Sequence, residues 1–146
     1  MLNHGTAVVR TRMPSFDVDR EQVNLFRVED RYLFKQYFDQ DTVFTALRDY
    51  YNQDDYRFEV PPDVVEEVKQ VLREHMFEPV VVDAPAEFCV VYPKYTDHPD
   101  VLFKTAVLQR SKRDKHLFLL KDQLSVEQAV NNGAKRLADT DMETRF

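Results

Sequence analysis

The side chains best equipped for chemistry in this chain are few and scattered. Its serines are Ser15, Ser111 and Ser125, none lies in a nucleophile-elbow sequence, and Ser125 reads better as a helix cap. Cys89 could act as a nucleophile with a distant histidine. Its setting, Phe88-Cys89-Val90-Val91, argues instead for an inert thiol buried in an apolar strand. Cys89, His75, His98 and His116 are too widely spaced for the paired ligands of structural zinc. The nearest approach to a cation cluster is Asp97-His98-Pro99-Asp100, joined by His75 or Glu74 from elsewhere. The same residues are explained more simply by a helix start whose aspartates complement the positive end of the dipole, with His98 facing solvent. Two glycines, Gly5 and Gly133, cannot build a phosphate-cradling loop or a dinucleotide fingerprint. The sequence therefore assigns no catalytic residue, no cofactor and no metal.

The elements that would carry these residues follow from periodicity. Tyr56, Phe58 and Val60 alternate with Arg57 and Glu59, the period of a half-buried strand, and Pro61-Pro62 ends it. From Asp63 the apolar spacing changes to three and four, through Val64, Val65, Val68, Val71, Leu72, His75 and Met76, which predicts a helix with a charged outer face. Val80 to Val82, between Pro79 and Asp83-Ala84-Pro85, predicts a short strand. Phe88 to Tyr92 predicts another, close enough to pair with it as a hairpin. Thr96 or Asp97 would cap a helix through Val101, Leu102, Ala106, Val107 and Leu108. His116 to Leu120 predicts a central strand. The order βαββαβ over about 55–121 is the split βαβ plan of a ferredoxin-like sandwich, so the expected fold is α+β with that core. A helix capped at Ser125 and ended by Gly133 should follow it.

Upstream, Asp41 can cap a helix carrying Val43, Phe44, Leu47, Tyr50 and Tyr51. Arg31 to Phe38 fits either period and is read as helix, and Asp19-Arg20-Glu21-Gln22 resembles a single-turn helix start. Residues 1–12 have no apolar pattern and precede Met13-Pro14. They are expected to be a loose extension to a single domain spanning 13–146.

Surface chemistry offers a binding site more readily than a catalytic one. Arg110, Lys112, Arg113 and Lys115 form the densest positive segment, able to grip phosphate or an acidic partner. Cations at a helix C-terminus also complement its dipole, which explains them without a ligand. RNA-recognition domains share the βαββαβ order and stack bases on aromatics of two central strands. Tyr56, Phe58 and Phe88 would hold such positions here. Ala86 to Pro93 lacks the basic and glycine residues of the RNA motif, however, so these rings are read first as core or protein-interface residues.

Composition bounds the rest. A 146-residue chain with 43% hydrophobic residues can bury its own core, and no apolar run approaches the length of a membrane span. A single cysteine and an N-terminus interrupted by His4, Arg10 and Arg12 point to a cytoplasmic protein without an export signal. The net charge of −6 disfavours nonspecific nucleic-acid binding. Aspartate outnumbers glutamate and arginine outnumbers lysine. With Phe58-Glu59-Val60-Pro61 and the stretch from Lys121 to Val130, that bias resembles a family of small uncharacterised proteins from halophilic archaea, over Met13 to about Ala138. The resemblance implies no activity, substrate or site.

Three functions are compatible with these residues. The first is a non-enzymatic interaction or regulatory module that contacts another protein or its own copy. The second is an RNA-binding protein using Tyr56, Phe58 and Phe88 with the 110–115 basic loop. The third is a small hydrolase or metal-dependent enzyme, needing a convergence of carboxylates and histidines that spacing does not reveal.

Overall fold

The computed structural model describes residues 8–12, 17–93 and 101–146. The Met13-Pro14 start, the Thr96 or Asp97 cap and the Asp97-His98-Pro99-Asp100 cluster lie outside them. The described chain forms β1 (Val8–Arg12), β2 (Asp17–Val28), β3 (Arg31–Phe34), α1 (Asp41–Leu47), β4 (Tyr51–Asn52), β5 (Arg57–Val60), α2 (Val65–Glu74), β6 (Phe77–Val82), β7 (Cys89–Pro93), α3 (Val101–Thr105), β8 (Ala106–Lys112), β9 (Lys115–Leu120), α4 (Gln123–Asn131) and β10 (Lys135–Arg136). The class is α+β.

Two sheets stack between two layers of helix. The first runs β1-β2-β3-β5-β4, with β6 added to β2 in parallel, and the second runs β10-β7-β9-β8. On the outer face of the first sheet, Val23, Leu25, Phe34, Phe58 and Val60 pack with Val43 and Leu47 of α1 and Val65, Val68 and Leu72 of α2. Its inner face presents Phe26, Val28 and Leu33 to Cys89, Val91, Val107, Leu117 and Leu119 of the second sheet. The far face of the second sheet sends Val90, Tyr92, Phe118 and Leu120 against Leu102 of α3 and Val126 and Ala129 of α4. The stack is α/β/β/α, and both sheets are covered on both faces.

Local chemistry explains these elements. β2 is apolar on alternating sides, Val23 and Leu25 outward and Phe26 and Val28 inward, as a central strand must be. Its buried polar side chain Asn24 donates to the Lys121 carbonyl at 2.9 Å and accepts from Gln22 at 2.8 Å. That satisfies the amide and ties the two sheets together. Tyr92 Oη likewise donates to the Ala129 carbonyl at 3.3 Å, fixing α4 over β7. α4 starts where Asp122 accepts from the Ser125 amide at 2.8 Å, so the cap is Asp122 rather than Ser125. It ends at Gly133, whose φ of +106° suits glycine.

The ferredoxin-like plan is corrected in its pairing. β5 pairs with β3 and β4, β6 with β2, and β7 with β9 and β10, so the expected core strands divide between two sheets. β6 and β7 do not form a hairpin. A one-turn 3₁₀ segment, Pro85–Phe88, carries the chain from one sheet to the other. The helix expected through Leu108 stops at Thr105 and becomes β8, because a hairpin turn at Arg113-Asp114, with Arg113 at φ 56°, folds these residues against β9. In the N-terminal portion Asp19 to Gln22 belongs to β2 and Arg31 to Phe34 is β3 rather than helix; α1 starts at Asp41 as expected but stops at Leu47, with Tyr50 in a 3₁₀ turn and Tyr51 in β4.

Val8–Arg12, read from sequence as part of an extension, pairs antiparallel with residues 17–21 of β2. Deleting residues 1–12 is therefore expected to lower the melting midpoint, by about 2–4 °C for each kcal/mol lost. Hydrogen exchange should speed up at the amides of 17–21. An unchanged midpoint and unchanged exchange would show that the ladder contributes nothing.

Candidate functional site

The outer edge of the second sheet is a place where backbone and side chains meet solvent in a shaped surface. β8 is that edge. Edge strands are open to pairing unless their polar groups are managed, and here the two halves of β8 are managed differently.

The first half is capped by cations from the other sheet. Lys35 Nζ donates to the Ala106 carbonyl at 3.2 Å, and Arg57 donates to the Val107 carbonyl at 3.1 Å. A groove of about 620 Å³ lies beside them, lined by Lys35, Tyr56, Arg57, Leu108, Gln109 and Ser111. Tyr56 stands 66% exposed at the β4–β5 turn, at φ 53°, with its ring centroid 6.0 Å from Lys35 Nζ. Burial, then the positive charges of Arg57 and Lys121, hold the Lys35 ammonium below its ordinary pKa. Arg57 is balanced by Glu59 at 2.9 Å and Asp55 at 3.6 Å. Burial would raise the Glu59 carboxyl, but hydrogen bonds from Asn52 and Arg57 and the charges of Arg57 and Arg31 outweigh it and leave it lowered. The charge of Arg57 is thus compensated by carboxylates within this groove.

The second half of β8 holds the chain's own residues 141–146. In this segment Met142, Thr144 and Phe146 are half-buried and Asp141, Glu143 and Arg145 exposed, the alternation of side chains along an extended chain. Arg110 donates to Thr144 Oγ1 at 3.1 Å and to the Arg145 carbonyl, and its guanidinium carbon lies 5.3 Å from the Phe146 ring centroid. Lys112 Nζ donates to the Glu143 carbonyl at 3.1 Å. Met142 and Phe146 pack on the rim of the core between the sheets. Alongside runs a further groove of about 840 Å³ lined by Ala86, Glu87, Lys112, Leu137 and Thr140 together with the tail itself. No ion pair joins Arg110 or Lys112 to a carboxylate among the described residues.

The residues singled out from sequence are not brought to one face. Phe58 is 1% exposed, stacked on Phe34 at 4.7 Å and edge-on to Tyr51, Phe38 and Phe44, so it has no surface on which a base could stack. Phe88 is half-buried, edge-on to Phe26 at 5.1 Å. Tyr56 alone among the three aromatics is open, on the first groove. Arg110 and Lys112 hold the tail. Arg113, on the β8–β9 turn, and Lys115, the first residue of β9, are exposed, beside a third groove that also carries Asp114, Asp139 and Asp141. Tyr56, Lys35 and Arg57 come together only through the pairing of β4 with β5 and of β3 with β5, which local periodicity does not encode. The tail did leave one sequence signal, the spacing of two between Met142, Thr144 and Phe146.

For catalysis, Ser111 Oγ and His116 Nδ1 are 2.8 Å apart, as directly opposed partners on β8 and β9. A hydroxyl in reach of an imidazole is one element of nucleophile activation, but Ser111 is exposed on an edge strand and the contact is that of a cross-strand pair. Among the described residues no three His, Cys, Asp or Glu side chains converge as a cation site. No helix among them is long and apolar enough to cross a membrane. Comparison with protein-family models, curated proteins and solved structures finds no match.

Proposed function

We propose that this chain is a non-enzymatic protein-interaction module whose docking site is the groove beside the second half of β8. The observation that carries this reading is the seating of residues 141–146. An extended segment places every second side chain inward while Arg110 and Lys112 hold its carbonyls, the way proteins recognise extended peptides. Side chains rather than a sheet ladder anchor the tail, so a competing segment need not break a β pairing to enter. RNA stacking has less support, because Phe58 is core and both faces of each sheet are covered.

The test uses a labelled peptide of the sequence from Asp141 to Phe146. In the unmodified chain the tethered tail competes at an effective concentration of order millimolar, so the peptide should bind barely at all. In the full chain carrying Met142→Ala and Phe146→Ala the tail loses its anchors while Arg110 and Lys112 are kept, and binding should appear by fluorescence anisotropy. No binding to that variant, with its fold verified by circular dichroism, overturns the reading.

A further inference from the structure

We infer that the β8 groove selects an extended segment carrying phosphothreonine, with apolar residues two positions before and after it. The inference rests on the docking role proposed above and names the chemistry of the segment it favours. Arg110 is half-buried, yet its partners are neutral: the Thr144 hydroxyl, the Arg145 carbonyl and the face of Phe146. Lys112, two residues along the same strand, is likewise committed to a neutral acceptor, the Glu143 carbonyl. Glu87 and Glu143 line the adjoining groove, but neither forms an ion pair with these cations among the described residues. This contrasts with Arg57 in the neighbouring groove, which has two carboxylate partners.

A half-buried guanidinium without a counter-anion is an unmet electrostatic demand. The atom it addresses in the tail is the threonine hydroxyl, the atom that carries phosphate in phosphothreonine. A phosphate there adds a charge approaching −2 and three strong acceptors. Arg110 can meet it with parallel N–H donors and Lys112 can contribute a second cation, replacing neutral hydrogen bonds by charge-assisted ones. Met142 and Phe146, two residues to either side, define the apolar positions on the rim of the inter-sheet core. The chain's unmodified tail then acts as a weak internal occupant that a phosphorylated segment displaces.

The experiment compares the Asp141-to-Phe146 peptide with the same peptide phosphorylated at its threonine, each titrated into the full chain and into the Met142→Ala, Phe146→Ala chain. The phosphopeptide should bind both proteins, at least about tenfold more tightly than the unmodified peptide in the tail-weakened one. Arg110→Ala should abolish that preference. Because Arg110 is half-buried, Lys112→Ala at an exposed position is the second variant, and it should reduce the preference several-fold with an unchanged melting curve. Raising salt should weaken the phosphopeptide far more than the unmodified one. Equal affinity of the two peptides, or a preference that survives both substitutions, overturns the inference. If the unmodified peptide binds the tail-weakened chain without any gain from phosphate, the docking role stands and only its selectivity is wrong. If neither peptide binds, the docking role fails as well.

Discussion

Phe58→Ala should destabilise the protein by about 3–5 kcal/mol, the range for removing a fully buried phenylalanine. Phe58 is 1% exposed and sits at the centre of an aromatic cluster: stacked on Phe34, edge-on to Tyr51 at 4.9 Å, to Phe38 at 5.8 Å and to Phe44 at 6.1 Å. These partners come from β3, β4, α1 and the segment after β3, so the cavity would loosen the helix layer and the first sheet together. A loss near the upper end of the range is expected because several rings lose edge or face contacts at once. Urea unfolding of the two proteins measures it, provided the slope of the transition is unchanged. A loss below about 1 kcal/mol would place Phe58 outside the core. Peptide binding by the folded variant should be unaffected, since the ring lies on the opposite side of the first sheet from β8.

The contrast between α2 and β2 explains how much of this architecture could be read in advance. α2 buries one stripe, Val65, Val68 and Leu72, under an acidic outer face, so its period survives in the sequence. β2 buries both faces, and Val23-Asn24-Leu25-Phe26 therefore has no period at all. A strand apolar on both sides cannot be told from a buried helix by pattern. Its parallel partner β6 begins some fifty residues later, a pairing that no local signal encodes. β8 was hidden for another reason: the register shifts between Ala106 and Leu108, which breaks the alternation and leaves an apolar cluster resembling a helix face. The α+β class, α1, α2 and α4 were legible because each depends on neighbours in sequence. The pairing of strands into two sheets depends on contacts between distant segments.

The candidate site follows the same division. Arg110 and Lys112 stood out as positive charge, and the local explanation offered was a helix dipole. No helix ends there, because β8 continues to Lys112, and the acceptors they meet belong to Glu143, Thr144 and Arg145. Cations addressing backbone carbonyls across thirty residues of sequence leave no trace in charge patterning. Tyr56 was identified as an aromatic strand residue and is in fact a turn residue at φ 53°, which turns its ring out to Lys35 instead of into the sheet.

Native Cys89 should react with a thiol reagent about a thousandfold more slowly at pH 8 than the unfolded chain. Burial between the sheets pushes its thiol from 9.0 to about 12, only partly offset by the charge of Arg110. The thiolate is the reactive species, and its population at pH 8 falls by about tenfold for each unit of that rise. The side chain is 2% exposed, and Sγ points to the Pro85 carbonyl at 3.5 Å, so steric access slows the reaction further. The same burial links stability to pH. The unfolded thiol loses its proton near 9 while the folded one keeps it to about 12, so the stabilisation is complete below pH 9 and declines as pH rises through that window. The slope from this group approaches about 1.4 kcal/mol per pH unit. Cys89→Ala should remove that slope, which separates this thiol from lysines and tyrosines titrating in the same range. Rapid labelling of the native protein, or an identical alkaline decline in Cys89→Ala, would show that the thiol reaches solvent and that the core between the sheets is open at β7.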